Sequence, residues 1–149
     1  MVFNIKKITA YYTAVIFYIV LDRLFKALAL KGLEFSMIGH ILQFSLVKNY
    51  YIAFSLPLAG IWLNAVIGVI ILCLIYYWLL IRWPGQKMNR LCLSAVILGA
   101  GSNLFDRLAY GYVIDYFNLK YFTVFNLADA LIVAGVAALI FLTYKKEAV

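Results

Sequence analysis

Residues 61–81, IWLNAVIGVIILCLIYYWLLI, run for 21 positions with only Asn64 breaking an apolar and aromatic sequence. A helix rises 1.5 Å per residue, so about 20 such residues cross the hydrocarbon core of a bilayer. Arg82-Trp83-Pro84-Gly85 then supplies a charge, an interfacial aromatic and two helix breakers, as expected where a span leaves the membrane. Working outward, a third apolar run extends from Leu91 to about Phe105, and a fourth from Asn126 to Tyr144, closed by Lys145 and Lys146. Upstream, residues 8–21 carry no charge; Asp22, Arg23 and Lys26 follow, which predicts a first helix to about residue 28 with charges at its outer end.

The fold predicted is a mainly α membrane domain over 1–149, with four transmembrane helices at about 8–28, 61–81, 91–105 and 126–144. Composition agrees: 67% of the 149 residues are hydrophobic and 13% charged, against roughly 45 to 50% and 25% in soluble domains. A soluble domain and a disordered chain are both excluded on these proportions. The net charge of +7 is read as membrane topology instead of nucleic-acid binding. Lys6, Lys7, Arg82, Lys87, Arg90, Lys145 and Lys146 crowd the termini and the 82–90 turn, while the other six positive residues are spread over two longer loops. Both termini are therefore expected in the cytoplasm. Lys6, Lys7, an apolar stretch and Ala27-x-Ala29 imitate a cleaved signal peptide, but Asp22, Arg23 and Lys26 intrude where such a peptide needs an apolar core.

Residues 41–56 and 111–124 are rich in aromatic and β-branched residues with partial alternation, and both lie in the outward loops. They predict short strands, with Asn118-Leu119-Lys120 a turn, forming a small extracytoplasmic sheet over the helices. Cys73 and Cys92 fall at depths about 10 Å apart on helices rising 1.5 Å per residue, too far for a disulfide. With His40 the single histidine and no Cys or His cluster, neither a metal nor a cofactor is expected.

Four of six acidic residues, Asp22, Asp106, Asp115 and Asp129, stand at the outer ends of the predicted spans. An ionisable group in a span costs about 2.5 to 3.5 kcal/mol at a helix centre on insertion scales, so it is expected to have a partner or a task. Asp129 is the most demanding, because fifteen uncharged residues follow it. Two neighbouring carboxylates can share one proton: the ionised group activates water while the protonated one donates to a carbonyl oxygen. Asn103-x-x-Asp106 and Asn126-x-x-Asp129 repeat one pattern, an amide one turn before a carboxylate. Spacing alone lets Asp129 pair with Asp106 as readily as with Asp115.

At these residues the chain resembles the lipoprotein signal peptidases, signal peptidase II. GAGSNLFDRLAYGYVID at 99–115 is similar to the family's G-A-x-[GS]-N-x-x-D-R-x-x-x-G-x-V-x-D, and FNLAD at 125–129 matches F-N-x-A-D. Asp22 and Lys26, four apart on the first helix, and Asn49 with Ala53-Phe54-Ser55 resemble two further family features. The resemblance implies an aspartic peptidase with Asp115 and Asp129 as acid and base. It also implies Asn49, Asn103, Arg107 and Asn126 lining the site, Asp106 as support beside Arg107, and Asp22 with Lys26 at the outer rim. The implied substrate is a diacylglyceryl-modified prolipoprotein, cut just before its lipidated cysteine at the outer face of the bacterial cytoplasmic membrane. Membrane lipids are the other partner implied, with a monomer expected.

Two departures stand out. Tyr51 and Ile52 occupy positions where the family keeps Gly and Ala, and the stretch from Asp115 to Asp129 is shorter than usual, implying a reduced lid or sheet. Plainer readings stand beside the functional ones: Asp22 and Lys26 as a helix-end ion pair, Asn103 and Asn126 as interhelical glue or a helix cap. A proton- or ion-coupled carrier and a non-catalytic signal-peptide binder are the alternatives. The carboxylates gather at one depth, whereas a carrier would need a relay through the membrane.

Overall fold

The computed structural model describes residues 5–50, 60–81 and 86–147. Within them the chain runs through α1 (Ile5–Leu30), β1 (Phe35–Ile38), β2 (Leu42–Asn49), α2 (Gly60–Leu80), α3 (Lys87–Tyr110), β3 (Val113–Leu119), β4 (Val124–Phe125) and α4 (Leu127–Glu147). By length and composition three stretches among the described residues suffice to cross a membrane: Gly60–Leu80, Lys87–Tyr110 and Leu127–Lys145. The expectation of four such helices is met by three. α1 is 26 residues long and bears Lys6 and Lys7 near one end and Asp22, Arg23 and Lys26 toward the other.

Burial follows from the environment. Ile61, Trp62, Leu72 and Leu79 of α2, and Val133, Ile140 and Phe141 of α4, are exposed, a cost of folding in water that disappears in lipid. The buried positions concentrate on α3, whose Leu91–Val96 stretch, Gly99, Ser102, Asp106 and Arg107 face the other elements. α3 and α4 approach closely through glycine. A Cβ at Gly99 would lie 2.7 Å from the Ala128 carbonyl oxygen, and one at Gly135 would lie 2.9 Å from that of Cys92. Small residues that let two backbones touch are a common membrane device for helix association. At the 82–90 end, the Trp78 indole donates to Ser94 Oγ at 2.9 Å, and the Arg90 guanidinium stacks 3.9 Å from the Trp78 ring centre. α2 and α3 are clamped there.

The strands form one antiparallel sheet in the order β1-β2-β3-β4. Its inner face packs Phe44, Ile114 and Tyr116 on Ala29 of α1. The stretches expected as strands cover β2, β3 and the first residue of β4; β1 was not expected, since its four residues are all exposed and so show no alternation. Helix α3 extends five residues past the expected Phe105 because Asp106 and Arg107 are paired and buried inside it. It stops at Gly111, which adopts a left-handed conformation (φ 83°) and donates its N–H to the Arg107 carbonyl. The turn expected at Asn118-Leu119-Lys120 falls later: Asn118 and Leu119 remain in β3, and Leu119 accepts from Phe122 N–H across the bend. Tyr51, Ile52 and Ala53-Phe54-Ser55 lie outside the described residues.

Candidate active site

Asp115 enters the site because β3 must start where α3 ends. Along β3 the side chains alternate, so Ile114 and Tyr116 face the core while Asp115 points the other way. Val47 stands opposite Asp115 in the register, and Asn49, two residues further along β2, shares its face. The Asn49 amide donates to Asp115 Oδ2 at 3.0 Å.

Asp129 is positioned by the start of α4. Asn126 is the residue before the helix; its Oδ1 accepts the Asp129 N–H at 2.9 Å, and Asp129 Oδ2 accepts the Asn126 N–H at 3.1 Å. This reciprocal pair is a capping box, which makes the Asn-Leu-Ala-Asp spacing a requirement of helix initiation. The cap leaves the Asn126 NH2 free to donate elsewhere. It reaches Asp115 Oδ1 at 2.7 Å and Asn103 Oδ1 at 3.2 Å. Asn103 in turn donates to Asp129 Oδ1 at 2.7 Å. Asp115 and Asp129 thus hang on one fully buried asparagine.

Asp106 does not take the alternative place beside Asp129. Its Oδ1 is 2.6 Å from Arg23, and its Oδ2 is 2.7 Å from Lys26 and accepts the Ile114 N–H at 3.3 Å. Lys26 also binds Asp22 at 3.0 Å and donates to Asn103 Oδ1 at 3.0 Å. The pair expected at the outer rim is therefore enclosed: Asp22, Lys26 and Asp106 have no solvent exposure. Two carboxylates and two cations, Arg23 included, balance. A buried cluster of this kind offsets its desolvation only when every lone pair is occupied, and among the described residues no buried side-chain polar atom lacks a partner. Arg107 is buried and donates to the Tyr50 carbonyl at 3.4 Å, with Asp115 and Asp129 within its electrostatic reach.

Three residues join the site that the sequence did not mark as site residues. Arg23 completes the charge balance; its signal was its position one turn before Lys26 on the face that holds Asp22. Ser102 donates to Asp22 at 2.8 Å. Tyr116, directly after Asp115, donates to Asp22 Oδ1 at 2.9 Å and accepts the Leu127 N–H at 2.9 Å, tying α1 to the first turn of α4. Burial, then the Asp22 carboxylate, push the Tyr116 hydroxyl well above the ordinary tyrosine range, so it stays a donor. No alternation rule could have foretold its partner, which is 94 residues away.

The electrostatics of the pair follow from enclosure. Asp115 is 1% exposed, and burial first, then the neighbouring Asp129 carboxylate, push its carboxyl up to about 7 against the pull of the Asn49 and Asn126 amides and Lys26. A carboxyl near 7 can hold a proton at neutral pH and release it. Among the described residues no group of three or more His, Cys, Asp or Glu is arranged to hold a metal ion.

Helices with a lipid-facing apolar surface and two carboxylates bridged by asparagines define a membrane protein with an aspartic-type centre. The chain belongs to the signal peptidase II family: the family model described as Signal peptidase (SPase) II matches residues 14–145. The lipoprotein signal peptidase of Halothermothrix orenii is 34% identical over 144 residues, covering 93% of this chain and 97% of the relative. That of Caldicellulosiruptor bescii is 37% identical over 130 residues, covering 85% of each. Two solved structures of bacterial membrane enzymes superpose with TM-scores of 0.81 and 0.74 at 23% and 22% identity, covering 94% and 91% of this chain and 90% and 93% of theirs. They show a shared fold. As a member of this family the chain is an enzyme, an aspartic peptidase.

Proposed function

We propose that this chain removes the signal peptide from diacylglyceryl-modified prolipoproteins by cutting before the lipidated cysteine, with Asp115 and Asp129 as its catalytic pair. The observation that carries the assignment is Asn126, which caps α4 through Asp129 and with the same side chain holds Asp115. Asp115, enclosed and raised toward 7, holds the shared proton and donates it to the scissile carbonyl oxygen. Asp129, partly exposed at the helix start, takes a proton from the attacking water. The tetrahedral intermediate then collapses as the leaving nitrogen is protonated. Asn49, Asn103 and Arg107 orient the pair and the substrate backbone, while Asp22, Lys26, Arg23 and Asp106 fix α1 against α3.

In this reading α1 is a fourth span, both termini are cytoplasmic, and the pair faces the outer boundary of the bacterial inner membrane. A lipidated helical substrate enters sideways between the exposed helix faces, and water reaches the carboxylates from the outer side.

The test is cleavage of a lipidated prolipoprotein by the purified chain in lipid. Asp115→Asn and Asp129→Asn should each lower turnover at least about 100-fold, with helicity retained and no loss of thermal stability, and the double variant should lose little more than either single one. Near wild-type turnover in either variant, or a wild type that binds without cutting, would reject the assignment.

A further inference from the structure

The sheet ends, at the turns β1 to β2 and β3 to β4, in a surface that the peptidase chemistry does not use. Both turns lie at the same end, because Leu42 pairs with Leu119 and Lys120 N–H donates to the Ile41 carbonyl. Ile38 and Ile41 on one turn, and Tyr121 and Phe122 on the other, are exposed, the last two by 82% and 80%. At the same two turns a cavity of about 300 Å³ is lined by His40, Gln43, Asn118 and Lys120. All four can donate hydrogen bonds. Residues 37–43 and 118–123 contain no carboxylate, and Glu34 lies on the other side of β1.

We propose that this tip docks on the membrane, placing Ile38, Ile41, Tyr121 and Phe122 in the interfacial layer and a phospholipid phosphate in the His40, Gln43, Asn118 and Lys120 cavity. Charge complementarity selects the occupant: a cationic, donor-lined cavity fringed by aromatic and aliphatic side chains matches an anionic headgroup above acyl chains. Chain length permits it. Phe122 stands five positions before Leu127, the start of α4, a reach of at most about 18 Å. The strands that carry Asn49 and Asp115 would then be held by the membrane at both ends, by the helices at one and by the tip at the other.

The inference rests on the outward placement of the sheet given above, not on peptidase activity. The full chain carrying Cys73→Ala and Cys92→Ala takes a spin label at Phe122→Cys, at Tyr121→Cys, or at Glu34→Cys as the reference. It is reconstituted into phosphatidylcholine bilayers with or without phosphatidylglycerol. Accessibility to oxygen relative to a water-soluble nickel chelate should be several-fold higher at 121 and 122 than at 34. Adding Lys120→Gln should lower the ratio at 122 in phosphatidylglycerol bilayers and leave it unchanged in pure phosphatidylcholine. Fully aqueous labels at both 121 and 122 would overturn the docking. So would dipolar broadening that grows with the protein-to-lipid ratio, since the tip would then meet a second copy. An equal effect of Lys120→Gln in both lipids would overturn the phosphate site. Depth is read whether or not the chain cleaves, so this failure and a failure of the peptidase reading are separable.

Discussion

At Asp115 one side chain carries opposing demands. Its unfolded-state pKa is about 3.9, while the folded protein holds it up to about 7 through burial and Asp129. Between those values the native state binds more protons than the unfolded chain, so the contribution of Asp115 to stability falls as pH rises from 4 to 7 and levels off above. Asp115→Asn keeps the shape and removes the ionisation. The variant should therefore melt higher than wild type at pH 8, with the difference vanishing near pH 4. Thermal unfolding in detergent at the two pH values checks this, and an equal difference at both would contradict the assigned cause. The site is thus held at a cost in stability, and the Asn49 and Asn126 amides keep that cost bounded.

Among the elements, the α3 and α4 contact controls the site, because Asn103 and Asp129 sit on opposite sides of it and hydrogen-bond at 2.7 Å. Gly99 lies one turn from Asn103. Gly99→Ala would gain about 1 kcal/mol of helix propensity, but the new methyl would meet the Ala128 carbonyl at 2.7 Å and Ile132 Cγ1 at 2.8 Å. A backbone oxygen cannot swing away as a side chain can, and overpacking costs about 1 to 3 kcal/mol. The net sign is destabilising. Gly99→Ala should lower the melting temperature and also the turnover of the folded fraction, since α4 carries Asp129 away from Asn103. Gly101→Ala, with nothing within 4 Å of its added carbon, is the matched control and should do neither. Both are measured by melting and cleavage side by side.

For the whole molecule the orientation prediction rests on Lys87 and Arg90 beside the Trp78 clamp, and on the lysines at both ends of the chain. With Cys73 and Cys92 replaced, a cysteine at position 87 should resist an impermeant reagent from outside intact cells and react after permeabilisation. Labelling from outside would reverse the orientation and place the carboxylates at the cytoplasmic face. The cluster of buried Asp22, Lys26 and Asp106 with half-buried Arg23 belongs at this scale too. It joins α1 to α3, and through Ser102 and Tyr116 to the beginning of α4, so the site is closed by the assembly of three helices and a strand.

Local physics determined a large part of this protein from sequence. Apolar runs of membrane length located α2, α3 and α4, and aromatic and β-branched stretches located β2 and β3. The spacing in FNLAD was legible because a capping box is a contact across three residues. The left-handed cap at Gly111, beyond the expected end of α3 at Phe105, turns the helix into the strand that bears Asp115; it was not foreseen, although its cause is local. Tertiary structure decided the rest. Asp106 and Asp115 were equivalent partners for Asp129 by spacing, and only the cations of α1, some 80 residues away, claim Asp106. Asp22 and Lys26 read as a surface pair because i,i+4 spacing says nothing of what covers it; α3 and β3 cover it. β1 was invisible since an edge strand exposed on both faces has no burial pattern to record. Interactions between residues distant in the chain depend on how helices pack, and no periodicity along a single element encodes that.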